Sequence, residues 1–373
     1  MAVVYFSGFE AGSAEPFYGA GGTYSIQTSI KKTGSYALKV NPTTTAIGYV
    51  LTFGLAAAGI FPNNAPVTSY TKFDFYYVTK AASNDEQIFL VRDYSSGLLK
   101  LEVRLDSTGV LKVYDKDAAL VATGTTVLDA NTWYRIEVRS GSGTSATYEV
   151  RINGVTELSG TCNQLVANAA GIFLGKETNR NGNSVEYYYD NYVVDDSTFP
   201  GACDVIQLLP TANGSTAQWT AGTGSSNYLE VDEVPTDGDT TYIQSTGGAG
   251  EVHLVTLQTL ASLGLTGVVK SFKAMASLKE PSAVVSSQRI RIRSSSTNSD
   301  TTGYDGTTGY AWLQKIQNTN PSGGAAWTTA AIDAVEIGVL ENNAVVSRCS
   351  TIYGAVLLGP ANAGGLMMMG IGS

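Results

Sequence analysis

The sequence predicts an all-β protein made of two tandem antiparallel β-sandwiches, and three observations predict it. Apolar and polar residues alternate through short runs, as in Leu99-Lys100-Leu101-Glu102-Val103-Arg104-Leu105, the pattern of a strand with one face on a core. Turn chemistry separates the runs: 41 glycines and dipeptides such as Asn153-Gly154 supply the positive φ that tight turns need. The alternation stops and restarts once, at Asp195-Asp196-Ser197-Thr198-Phe199-Pro200-Gly201, which reads as a linker in a 373-residue chain long enough for two cores.

The elements follow in order. Residues 3–9 open the first segment, and a glycine-rich loop at 19–23 precedes the turn Lys32-Thr33-Gly34, which feeds a strand with Tyr36, Leu38 and Val40 on one face. Strands are predicted at 70–78, 88–93 and 99–105, the last with Lys100, Glu102 and Arg104 on a wet face. Asp106-Ser107-Thr108-Gly109 turns the chain into 110–114; strands at 133–138, 148–152 and 185–194 follow, with Asn153-Gly154 as a hairpin turn. The first domain is placed at 1–198 and the second at 204–356, with strands at 205–209, 228–231, 241–244, 252–257, 268–276, 288–293, 310–316, 335–339 and 348–356, a turn at Asn213-Gly214, and one short helix at 257–263. The uncharged tail 357–373 cannot build its own core and is expected to be an interface or disordered.

Composition excludes several classes. A net charge of −9 and a pI near 4.7 repel phosphate, so no nucleic-acid partner is expected; Arg289-Ile290-Arg291-Ile292-Arg293 reads as a strand with one charged face. Met1-Ala2 runs straight into Val3-Val4-Tyr5-Phe6 with no basic region or cleavage site, which reads as no secretory signal, and no apolar run reaches the length of a membrane span, about 18 residues. Cys162, Cys203 and Cys349 have neither disulfide-framework nor metal-ligand spacing and read as free buried thiols, with a Cys162–Cys203 bridge as the alternative.

Several pieces of the first segment together resemble a known family. They are Phe6-Ser7-Gly8-Phe9-Glu10, Lys32-Thr33-Gly34-Ser35-Tyr36-Ala37-Leu38, Leu128-Asp129-Ala130-Asn131-Thr132-Trp133-Tyr134-Arg135-Ile136-Glu137-Val138, Tyr148-Glu149-Val150-Arg151-Ile152-Asn153-Gly154 and Tyr188-Tyr189-Asp190-Asn191-Tyr192-Val193-Val194-Asp195. In order and spacing they resemble the concanavalin A-like, laminin-G-like jelly rolls of phage structural proteins and bacterial glycan-binding proteins. The second segment, through Leu209-Pro210, Gln218-Trp219-Thr220, Asp237-Gly238-Asp239 and Ala326-Trp327-Thr328, is similar to a domain that follows such jelly rolls in tailed-phage virion proteins.

No catalytic constellation stands out. His253 is the only histidine, flanked by Val252 and Leu254, and reads as an ordinary strand residue, satisfied or facing solvent. Glycoside hydrolases that share the architecture carry alternating carboxylates on one strand; the nearest stretch, Glu230-Val231-Asp232-Glu233-Val234, breaks that pattern at Val234. Acidic turns offer weak calcium candidates in Asp190, Asp195 and Asp196, and in Asp237 and Asp239, and no other cofactor is called for. Of Tyr187, Tyr188, Tyr189 and Tyr192, alternation puts Tyr187 and Tyr189 on one face and Tyr188 and Tyr192 on the other; one pair belongs to the core and the other to a sugar platform or a subunit contact.

The resemblance implies a virion protein, a head decoration, head fibre or tail-associated fibre component made in the host cytoplasm. The lone histidine, the broken acid pattern and the lack of metal-ligand spacing lead to the expectation that it is non-enzymatic. Its expected partners are other virion proteins, further copies of itself (a trimer by analogy) and a surface glycan. The rivals are a secreted or cell-surface carbohydrate-binding protein and a glycoside hydrolase or lyase.

Overall fold

A computed structural model describes residues 2–12, 19–42, 46–52, 67–93, 98–164, 170–177, 184–282 and 285–361. Among them the chain is all-β, with four antiparallel sheets forming two sandwiches. The first sandwich pairs an eight-stranded sheet with a seven-stranded one. The eight-stranded sheet runs Val155–Gln164, Gly143–Ile152, Tyr134–Ser140, Ser69–Thr79, Glu186–Asp195, Ala37–Val40, Tyr24–Gln27, with Val3–Ser7 also on Glu186–Asp195. The facing sheet runs Leu120–Val127, Val110–Tyr114, Leu99–Asp106, Asp85–Asp93, Ala170–Lys176, Gly48–Thr52, Gly19–Gly22. Alternate residues of both sheets meet in one core, where Phe73 stacks on Phe89 at 5.7 Å and Phe75 packs on Tyr187 and Tyr189.

The second sandwich faces a six-stranded sheet centred on Arg348–Gly359 and Val268–Lys279 with a five-stranded one centred on Glu251–Leu257 and Glu336–Glu341. Its core gathers Trp219, Phe272, Trp327, Ile337 and Val356.

The two sandwiches share a dry seam. Val3, Phe6 and Val193 of the first pack with Val205, Met275, Trp312, Tyr353 and Leu357. Lys273 reaches across the seam to donate to the Phe6 carbonyl at 2.5 Å, and the Asn318 amide donates to the Val3 carbonyl at 3.1 Å.

Several sequence expectations need correction. Lys100, Glu102 and Arg104 lie opposite the core as alternation requires, but that face is dry and all three are buried. Their charges are met within the face: Arg104 pairs with Glu102 at 2.8 Å and Asp85 at 3.2 Å over the Tyr114 ring, and Lys100 donates to the Val67 carbonyl at 2.7 Å. Residues 357–359 are not tail: Leu357 pairs with Val205 and Ser271, and Gly359 ends the strand; the rest of the expected tail from 362 lies outside the described residues.

The helix expected at 257–263 is a strand end and a turn, closed on the Leu260 side chain, which joins the core. A short helix forms instead at Thr329–Asp333, capped by the Thr328 side chain. Residues 228–231, read as strand, lie in a 3₁₀ turn, Asn227–Glu230, and the cap after it. Asn213-Gly214 is within a strand, where a Cβ on Gly214 would stand 2.9 Å from Leu254. The alternative cysteine bridge does not form: Cys162 lies in the first core and Cys203 in the seam, and all three cysteines are free.

Candidate functional site

The site is built where the Asp190-Asn191 step breaks the alternation of the closing strand. The register against Ser69–Thr79 shifts between Asp190 and Val193, and Asn191 takes φ 47°, a left-handed conformation that asparagine tolerates. The bulge reverses parity, so Tyr192 joins Tyr187 and Tyr189 in the core. Tyr188 is left on the other face, edge-on to Tyr76 and bonded to Glu186 at 2.6 Å, also buried. These four tyrosines thus form no exposed platform.

Freed from the strand, the Asn191 side chain ties several segments together. Its Oδ1 accepts the Val205 N–H at 2.7 Å and the Thr33 hydroxyl at 3.0 Å; its Nδ2 donates to Asp74 at 2.9 Å and Asp204 at 3.4 Å. Lys72 completes the knot, donating to Asp74 at 3.0 Å, the Asn191 carbonyl at 3.1 Å and the Cys203 carbonyl at 2.9 Å. All three ammonium protons have acceptors, which a buried lysine requires.

This knot floors a cavity of about 380 Å³ between the sandwiches, within the roughly 300–1,000 Å³ typical of small-molecule sites. One wall comes from the first sandwich. Trp133, half-buried, leans on Tyr76 at 5.2 Å. Arg135 pairs with Glu137 through Nε at 3.3 Å, and its two Nη groups have no protein partner among the described residues. The Asn153-Gly154 turn braces it: Asn153 Oδ1 accepts the Arg135 N–H at 3.0 Å, and Gly154, at φ 90°, leaves room that a Cβ would take from the guanidinium at 2.4 Å. The opposite wall is Ile206, Leu265 and Leu358–Pro360 of the second sandwich. Lys32 stands exposed at the rim, and Asp204 lies half-buried, burial raising its carboxyl pKa. An aromatic ring, a guanidinium fork, an amide, an ammonium and a carboxylate thus converge on one polar cleft.

The calcium candidates are not brought together. Asp190 accepts the N–H groups of Lys32, Thr33 and Asn191; Asp195 accepts those of Ser197 and Thr198; Asp196 is exposed. Asp237 holds Thr241, and Asp239 is paired to Arg348 at 3.1 Å and to Lys279. Among the described residues no three His, Cys, Asp or Glu side chains could share an ion. Three pieces of the resemblance do meet: Glu10 accepts the Ser35 N–H at 2.9 Å on the same turn that Asp190 holds. Burial raises the Glu10 carboxyl to about 7 and the Asp190 carboxyl to about 8, the Glu10 charge adding to the latter.

Glu230, in the broken acid stretch, caps a loop by accepting the Thr223, Ser225 and Tyr242 N–H groups. His253 is fully buried, with Nδ1 at 3.4 Å from the Asn227 amide and Nε2 unpartnered, so the residue is half satisfied and not in solvent. Sequence reading placed Trp133 and Arg135 only as strand residues; the Asn-Gly turn signal beside them was legible, the wall opposite was not.

No family model matches this chain, and no curated protein matches it. Solved structures do. Cellulose induced protein Cip1 aligns at 18% identity over 53% of this chain and 99% of its own, TM-score 0.40. An endo-β-1,4-glucuronan lyase from the fungus Trichoderma reesei aligns at 11% identity over 52% and 96%, TM-score 0.42. A Bacillus subtilis protein of unknown function with a galectin-like fold aligns at 12% identity over 52% and 96%, TM-score 0.36. The likeness is of fold alone, and each of these alignments covers about half of this chain.

Proposed function

We propose that this chain is a non-enzymatic, virion-borne display protein that attaches to a surface glycan, held in the cleft between its two sandwiches. The observation that carries the reading is the cleft wall itself: the Trp133 ring beside the Nη groups of Arg135, unpartnered among the described residues. Sugars present C–H faces that stack on aromatic rings and hydroxyls that need donors and acceptors at fixed points. Asn153 and Lys32 add donors and Asp204 an acceptor. The virion half of the reading is supported by the sequence resemblance. Binding to a glycan array, with and without calcium, tests attachment, and mass spectrometry of purified particles tests residence on a virion.

One observation favours an enzyme as the second reading. Asp74 and Asp204 both line the cleft and share the Asn191 amide, and paired carboxylates are what glycoside hydrolysis uses. Asp74 is committed to Lys72, which favours a structural role. Loss of a sugar-cleaving activity in Asp204→Asn would support the enzyme.

A further inference from the structure

At one end of the second sandwich, where the strand Val268–Lys279 gives way to Glu280, buried oxygens outnumber the donors that face them. Glu280 is fully buried; neither of its carboxylate oxygens sits in a well-formed hydrogen bond, and the Ser286 hydroxyl beside it is a donor. Gln288 beside it is buried too; its amide nitrogen donates to the Lys279 carbonyl at 3.2 Å and the Ser347 hydroxyl at 2.9 Å, which fixes the amide and leaves Oε1 unpartnered. Ser347 donates in turn to Glu341 at 2.7 Å. Asp305, exposed at the rim, accepts the Ser286 N–H at 3.0 Å.

The surroundings are negative. Burial raises the Glu280 pKa; the Ser286 hydroxyl opposes this, and the charges of Glu341 and Asp305 reinforce it. Gly306 packs closely on the pair, since a Cβ there would stand 2.9 Å from both the Gln288 amide nitrogen and the Ser286 hydroxyl. A buried carboxylate short of donors is a state that proteins relieve by protonation or by a bound cation.

We propose that Glu280 and Gln288 bind one divalent cation, calcium. Three oxygens, two from Glu280 and one from Gln288, are its direct protein ligands, and water completes the shell toward Asp305. An all-oxygen set selects a hard cation, and calcium accepts irregular geometry where magnesium demands an octahedron. A single directly bound carboxylate places the affinity in the weak range, roughly 10⁻⁴–10⁻³ M. The site lies apart from the interdomain cleft and stands independently of the glycan reading.

The test is thermal unfolding and calorimetric titration of the full chain with calcium chloride against a chelator-treated control. The wild type is expected to gain melting temperature with calcium, and Glu280→Gln to fold, lose that gain and bind calcium at least about tenfold more weakly. Asp305→Asn, at an exposed position, weakens binding by roughly twofold or more. Absence of any shift and any binding heat in the wild type overturns the proposal; so does unchanged calcium affinity in Glu280→Gln or, should that variant not fold, in Asp305→Asn.

Discussion

The Asn191 Oδ1 accepts the Val205 N–H at 2.7 Å, across the step from the first sandwich to the second. The same side chain holds Thr33, Asp74 and Asp204, so one residue sets the bulge, the domain step and the cleft floor. Asn191→Ala removes these bonds and keeps a left-handed φ that alanine resists, a loss of roughly 2–4 kcal/mol. Asn191→Gly relieves the backbone and recovers about 1 kcal/mol of it. Urea unfolding of the two variants measures both values, and wild-type stability in Asn191→Ala would refute the role.

Lys273 gives the seam a pH dependence. Burial alone lowers its pKa from 10.5 to about 7. Between those values the unfolded chain holds a proton that the native chain does not, so this residue makes stability rise with pH from about 7 to about 10, by at most about 1.4 kcal/mol per unit. Lys273→Met is expected to flatten that slope in chemical denaturation across this window. An unchanged slope would mean that the lysine stays charged at the seam.

His253 acts at lower pH. Burial lowers its pKa from 6.5 to about 4. In that window the unfolded chain takes up the proton first, so stability falls as pH drops from about 6.5 to about 4, by a total on the order of 3 kcal/mol. His253→Phe should lose less stability over the same range. Equal acid sensitivity in the variant would place the titration elsewhere.

Arg135 offers the cleft a planar fork, which a lysine cannot reproduce. Arg135→Lys is expected to weaken glycan binding by roughly tenfold while leaving the melting temperature nearly unchanged. A large stability loss with intact binding would make Arg135 a structural residue.

Much of the fold was legible because its signals are local. Leu99 to Leu105 alternate and Asn153-Gly154 turns the chain, and both read correctly from neighbouring residues. What was not legible depends on residues distant in sequence. Alternation placed Lys100, Glu102 and Arg104 away from the core but carries no information on what covers them. The bulge at Asn191 reversed the parity of Tyr192, an error that any period-two reading makes after an extra residue. The cleft was invisible for the same reason: its walls, Trp133 and Leu358, are brought together only by the docking of two sandwiches. Leu357 and Leu358 read as tail because the apolar run continues past them without a turn signal.

Glycan-array binding by the full chain and by Trp133→Ala tests the central claim most directly. The account predicts that the wild type binds a glycan and that Trp133→Ala, still folded, binds it at least about tenfold more weakly, as loss of a stacking ring at the centre of a site entails. No bound glycan, or equal binding by the variant, would contradict attachment through this cleft.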